Sequence, residues 1–160
     1  MTLADIQPLK GLPFSGVLLP TYDITEEQLG TAGAQCGATA LEFLTQLCRN
    51  GWKTKIAGKI PQEKQLLYVK QVKEELDVIE TLGFTNYVLM VWDICRFADS
   101  KRIPRGPGRG SVSSSLACYL MGITDVDPIE NGLFFTRFLS KSRAKKIVVD
   151  GVTYVDGGLV

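Results

Sequence analysis

Residues 103–128 read IPRGPGRGSVSSSLACYLMGITDVDP, and the fold turns on how this stretch is built. Gly106, Gly108 and Gly110 recur at every second position, with Arg105 and Arg109 before and between them and a run of serines behind. Glycine lets the backbone turn sharply and come close to a ligand. Arginine is a permanent cation whose forked donors match phosphate oxygens. The residues after the glycines, Ser111 to Met121, read as a helix stopped by Gly122, whose first N–H groups would lack internal partners. A loop of this kind opening a helix suits an anion, foremost a phosphate. The plain alternative is a structural turn that holds nothing.

Two familiar phosphate loops do not fit. G-x-x-x-x-G-K-[ST] requires a lysine, and none stands between Gly110 and Ser111. G-x-G-x-x-G requires a different glycine spacing and a preceding strand, whereas a helix precedes this loop.

Outward from the loop, the chain is of mixed element type. Residues 1 to about 35 are rich in Gly, Pro and Thr and read as an irregular lead-in, with "TEEQL" too short to anchor anything. Thr39 to Asn50 carries Leu41, Leu44, Leu47 and Cys48 at helical spacing, with Asn50-Gly51 as a stop. "KTKIAGKI" reads as a linker or short strand. Pro61 to Leu82 is the strongest helix: Val69, Val72, Leu76 and Ile79 form one stripe, and Gly83 can end it. Asn86 to Ser100 reads as a further helix whose half "YVLMVW" is apolar all round and therefore deeply buried, with a short buried strand as the rival reading. Asp127, Pro128 and Glu130 form a capping signal. "KIVVDGVTYVDGG" reads as a β-hairpin about Asp150-Gly151. The expected class is α+β.

The composition excludes several functions. The chain has 160 residues, enough for one domain with its own core, and a net charge of +1, so it has no bulk nucleic-acid signature. Charge is local: Arg96, Lys101, Arg102, Arg105 and Arg109 face one acid, Asp99, and Arg137, Lys141, Arg143, Lys145 and Lys146 face none. Such patches attract phosphate, though a solvated basic face would look the same. Histidine is absent, which removes imidazole catalysis and histidine ligation. Cys36, Cys48, Cys95 and Cys118 form no C-x-x-C pair and read as thiols in a reducing cytosol. No run is long enough to span a membrane, and there is no signal pattern. The expected location is cytoplasmic, the host cytoplasm if phage-encoded. Asp125 and Asp127 have D-x-D spacing, but Asp127 precedes proline and reads as a cap. Asp150 and Asp156 fall in or beside turns.

The stretch from "ELDVIETLGF" through "GPGRGS", "MGITDVDP" and "LFFTRFLS" resembles the first half of the palm of C-family replicative DNA polymerases, the bacterial or phage DNA polymerase III alpha subunits. Three separated motifs agree in order and distance. Residues 60 to 143 match, and residues 39 to 52 resemble the helix leading into that palm. Residues 1 to 20 match nothing. The basic turn from Ser142 to Ile147 and the hairpin after it resemble phage-type members.

The resemblance implies a partial polymerase β-like nucleotidyltransferase palm over residues 39–160, with a lead-in over 1–38, preceding helices and a C-terminal β-hairpin. In that family the glycine loop cradles the triphosphate of the incoming deoxynucleotide. Gly108, Arg109, Gly110 and Ser111 correspond to it. Arg137 in "FTRFL" stands where a family arginine faces the same triphosphate. Arg105, Lys141 and Arg143 are candidate secondary phosphate contacts. The family uses magnesium held by aspartates of a "PDIDxDF"-like run that would begin about where this sequence stops. The expectation is therefore no catalytic or metal-binding residue in this chain and no polymerase activity from it alone. Magnesium, primer-template DNA and a second chain would join it in a completed polymerase. A split-gene product, a truncated remnant and an expressed fragment all fit. So does a non-catalytic nucleotide- or DNA-binding module derived from the palm, or a purely structural protein.

Overall fold

The computed structural model describes residues 21–142 in full, together with the backbone of residues 145–149 and 152–156. Five α-helices and two 3-10 helices make up the packed body: α1 (Glu26–Ala32), α2 (Ala40–Lys55), α3 (Gln62–Thr81), α4 (Thr85–Ser100), a 3-10 helix (Gly110–Ser114), α5 (Leu116–Leu120) and a second 3-10 helix (Phe135–Arg137).

This corrects the expected α+β class. The body from residue 21 to 142 is helical and contains no strand, so no palm sheet is formed by the described residues. The remaining described backbone is an isolated two-stranded ribbon, β1 (Lys145–Val149) antiparallel to β2 (Val152–Asp156), with Ile147 opposite Tyr154. Two strands alone are no sheet layer around which a helical face could be buried. The Asp150-Gly151 turn lies outside the described residues.

Residues 1–20 of the lead-in lie outside the described residues, and the part from residue 21 is more regular than its composition suggests. Thr25 Oγ1 accepts from the Gln28 N–H at 3.2 Å, and Gln28 Oε1 accepts from the Thr25 N–H at 3.0 Å. This capping box starts α1, and Gly33 ends it in the left-handed conformation at φ 69°. Buried Leu29 and Ala32 then anchor "TEEQL" against α2. Gln28 Nε2 also donates to Tyr22 Oη and to Asp93 Oδ1, which ties α1 to α4.

Helix α2 starts at the Thr39 cap, with Glu42 completing a second capping box, but it does not stop at Asn50-Gly51. It runs on to Lys55, so "KTKIAGKI" begins as helix and continues as turns rather than a strand. Gly51 serves packing instead of termination. A Cβ there would collide with the Leu120 carbonyl, so α5 rests directly on the backbone of α2.

Helix α3 ends as expected, with Gly83 left-handed at φ 75°. Its buried face is rotated from the expected stripe. Tyr68, Glu75 and Ile79 are buried, while Val69, Val72 and Leu76 are half-buried. On α4 only Val88 and Leu89 are buried; Tyr87, Met90, Val91 and Trp92 are half-buried, so "YVLMVW" is not deeply enclosed. The core is assembled from Phe43, Leu44, Tyr68, Ile79, Phe84, Leu89 and Leu116, with the Phe43 and Trp92 rings edge-on at 5.5 Å. Burying aliphatic and aromatic side chains of this size stabilises by about 1.5–3 kcal/mol each.

Candidate nucleotide-binding loop

The single helix expected over Ser111–Met121 is two elements. Gly110–Ser114 is a 3-10 helix, and α5 begins only after Ser115, whose backbone is extended at φ −99°, ψ 120°. Ser115 closes the first element and caps the second. Its N–H donates to the Val112 carbonyl, and its Oγ accepts from the Cys118 N–H at 3.2 Å. Glu75 meets this break from α3. Its Oε1 accepts from the Leu116 N–H and from Gln71 Nε2, both at 2.9 Å. Its Oε2 accepts from Ser115 Oγ at 2.8 Å and from the Ala117 N–H at 2.9 Å. The first amides of α5 thus already face a carboxylate supplied by α3. Burial pushes the Glu75 carboxyl above its ordinary value, and these four donors pull it back.

The glycine loop is pinned at both ends. The Pro107 carbonyl accepts from the Asp125 N–H at 2.6 Å. A Cβ at Gly108 would lie 2.5 Å from Ser113 Oγ, so glycine lets the loop close against that side chain as it stands. Gly110 is left-handed at φ 67°. Beneath Gly108 lies Thr124, 2 % exposed, whose Oγ1 has no hydrogen-bond partner among the described residues.

The arginines divide into two kinds. Arg105 grips Asp99 with a fork, Nε to Oδ1 at 2.8 Å and Nη2 to Oδ2 at 2.7 Å. It also donates to the carbonyls of Ile123 and Gly122 at 3.3 and 3.2 Å. The Arg105 guanidinium holds the Asp99 carboxyl below its ordinary value. Arg109 is exposed and its side chain makes no hydrogen bond or ion pair with a described residue. The same holds for Arg137, which ends the second 3-10 helix. That helix packs against Gly110–Ser114, so the elements carrying Arg137 and the Gly110–Ser111 step are neighbours. Ser111 is half-buried and its carbonyl accepts from Ser114 Oγ at 2.6 Å. Lys141 is paired with Asp77 at 2.6 Å. Arg143 lies outside the described residues.

Of the two aspartates in the D-x-D spacing, Asp125 is exposed and bonds through its backbone N–H, while the Asp127 carboxylate holds the chain. Asp127 Oδ1 accepts from the N–H groups of Ile129 and Glu130, and Oδ2 accepts from Tyr68 Oη at 2.9 Å. It caps the turn after Pro128, without a reciprocal bond from Glu130 among the described residues. Among the described residues no three His, Cys, Asp or Glu side chains come together as a metal site. The donors present therefore do not fit a catalytic magnesium. Cys48 and Cys118 are buried free thiols; burial raises both, Cys118 to about 12.

Glu75, Tyr68 and Thr124 were not among the expected site residues. For the two on α3 the signal was the i, i+7, i+11 spacing of Tyr68, Glu75 and Ile79, which puts a carboxylate in the middle of a buried face.

A glycine loop lies beside a second arginine-bearing turn on a helical scaffold, and comparison with known proteins gives the family to which this arrangement belongs. The family model described as "Bacterial DNA polymerase III alpha NTPase domain" matches residues 42–150. The chain belongs to that family. It is 42 % identical over 114 residues to the DNA polymerase III subunit alpha of Bacillus subtilis (strain 168), covering 71 % of this chain and 10 % of that one. It is 45 % identical over 125 residues to the subunit of the same name in Halalkalibacterium halodurans, covering 78 % and 10 %. An error-prone DNA polymerase of Anaeromyxobacter dehalogenans (strain 2CP-1 / ATCC BAA-258) is 37 % identical over 132 residues, covering 76 % and 11 %. The chain spans about a tenth of the length of these relatives. No single described helix is long and apolar enough to cross a membrane.

Proposed function

We propose that this chain supplies the triphosphate-cradling loop of a C-family DNA polymerase that acts in DNA replication in the cytoplasm. Gly108, Arg109, Gly110 and Ser111 form the cradle, and Arg137 approaches from the neighbouring turn. The observation that carries this reading is the presence of two exposed arginines, without partners among the described residues, on neighbouring elements beside a glycine loop with Gly110 left-handed. A pyrophosphate leaving group gathers negative charge, and fixed N–H groups and guanidinium ions stabilise it. Arg105 and Lys141 have carboxylate partners and act around the cradle rather than within it. The deoxynucleoside triphosphate is the ligand of the loop. Primer-template DNA and magnesium belong to the completed polymerase, with metal donors from outside the described residues.

The test is a chemical-shift titration of this chain with a deoxynucleoside triphosphate at two salt concentrations. Contacts to two arginines and a few N–H groups should give a Kd in the high micromolar to millimolar range, about −4 to −5 kcal/mol. Charge-assisted bonds contribute roughly 1.5–3 kcal/mol, so Arg109→Ala and Arg137→Ala should each weaken binding about tenfold or more, and added salt should weaken the parent. Shifts confined to residues away from 105–111 and 137, or an Arg109→Ala chain that binds as the parent does, would sink the assignment.

A further inference from the structure

We propose that Glu75 is a positioning residue for the glycine loop: from within α3 its carboxylate sets the Ser114–Ser115 junction and so the conformation in which Gly110 and Ser111 meet a triphosphate. The inference rests on the phosphate-cradle reading and adds a residue 33 positions before the loop begins at Gly108.

The geometry is direct. Glu75 is fully buried, and each of its oxygens accepts two hydrogen bonds. Three of the four donors, Ser115 Oγ and the N–H groups of Leu116 and Ala117, belong to one short segment. That segment is the hinge between the 3-10 helix and α5. With the carboxylate present, the Leu116 and Ala117 amides are satisfied without carbonyls from the preceding turn. Ser115 is then free to stay extended, and the chain before it closes as a 3-10 turn through Ser115 N–H to Val112 and Ser114 Oγ to Ser111. Without it, the same amides would seek carbonyls three or four residues back, at Val112 and Ser113, and the two elements would tend to merge into one helix. Merging would pull Gly110 and Ser111 out of their present conformation. A carboxylate fits this place better than an amide. Whichever oxygen of Glu75 is replaced by NH2, a backbone N–H of α5 is left facing a donor.

The experiment compares Glu75→Gln with Ile79→Val in the chain as it stands, below the unfolding temperature of both. Ile79 is buried on the same helix and touches none of the junction bonds, so its variant reports plain loss of α3 packing. The first readout needs no ligand: amide chemical shifts and hydrogen exchange over residues 110–118. Glu75→Gln should expose the Leu116 and Ala117 amides to exchange and move the signals of Gly110 to Ser115, while Ile79→Val leaves them near the parent. The second readout is affinity for a deoxynucleoside triphosphate, which should fall about five- to tenfold in Glu75→Gln and stay within about twofold in Ile79→Val. If Glu75→Gln does not fold, Ser115→Ala removes one of the four bonds together with the Cys118 cap, so the signals read are those of Gly110 to Ser114 and the Leu116 and Ala117 amides rather than Cys118, and they should move the same way less far. Parent-like shifts and protection in Glu75→Gln or Ser115→Ala, or equal changes in Glu75→Gln and Ile79→Val, overturn the proposal. A parent chain that shows no response to triphosphate overturns the phosphate-cradle reading and, with it, the link from Glu75 to binding. The amide readout then decides Glu75's hold on the junction by itself.

Discussion

Gly51→Ala sets two effects against each other in one helix. Gly51 lies inside α2, where replacing glycine by alanine ordinarily gains about 1 kcal/mol of helix propensity. Its hydrogen, however, faces the Leu120 carbonyl so closely that an added methyl would overlap the oxygen and the carbonyl carbon. The obstacle is backbone, so no rotamer change relieves it. The helices must separate, loosening Cys48 against Ala117. Forced overpacking costs about 1–3 kcal/mol, and a backbone obstacle belongs at the upper end. The net expectation is a loss of about 2 kcal/mol, which for a chain of this size lowers Tm by about 4–8 °C. Gly30→Ala is the internal control: Gly30 is helical, exposed, and has nothing within 4 Å of an added Cβ, so it should gain up to about 1 kcal/mol. Both are measured by urea and thermal unfolding followed by far-UV circular dichroism. If Gly51→Ala gains stability as Gly30→Ala does, α5 does not rest on the α2 backbone.

Thr124→Val should hold stability or raise it by about 1 kcal/mol in urea unfolding, because the buried hydroxyl it removes has no partner among the described residues; a loss greater than about 1 kcal/mol would mean the hydroxyl is bonded. The Asp99–Arg105 fork should give way on acidification. Arg105 lowers the folded pKa of Asp99, so its contribution is present above the unfolded value of about 4 and is lost as pH falls through the folded value. A pH titration of the Gly122 and Ile123 amide signals should therefore move only below about pH 4 in the parent, and Asp99→Asn should abolish that step.

The elements that were legible in the sequence were those set by local chemistry. The helix beginning at Thr39, the Gly83 stop and the long α3 helix needed only neighbours within a turn or two. What failed was decided by distant contact. Gly51 looks like a stop until the Leu120 carbonyl, 69 residues on, is laid against it. "TEEQL" looks too short until Gln28 reaches Asp93. The Ser111–Met121 run has helical spacing throughout, and the break at Ser115 is met by a carboxylate 40 residues earlier. The α+β expectation came from the mixed element types read along the chain, the hairpin among them, whereas the described body from residue 21 to 142 is helical.

The glycine loop illustrates the same division among its cations. By sequence Arg105 and Arg109 are equivalent, each next to a glycine in a basic stretch. The structure separates them by what lies across from each. Arg105 faces Asp99 and two carbonyls at the end of α5, so its charge is already compensated and its donors are largely used. An anion binding there would have to displace a bidentate carboxylate, giving up one charge-assisted fork to make another with little net gain. Arg109 and Arg137 have no such competitor among the described residues, and each keeps its full set of donors for a ligand. Arg105 holds the Gly122–Ile123 carbonyls, and the Pro107 carbonyl is held two residues farther on by the Asp125 N–H. The paired arginine therefore fixes the base of the loop, and in the proposed cradle the two without a partner among the described residues would supply the affinity. Arg105→Ala would act through the shape of the loop, whereas Arg109→Ala would act through its charge, and the latter loss alone should shrink as salt is raised.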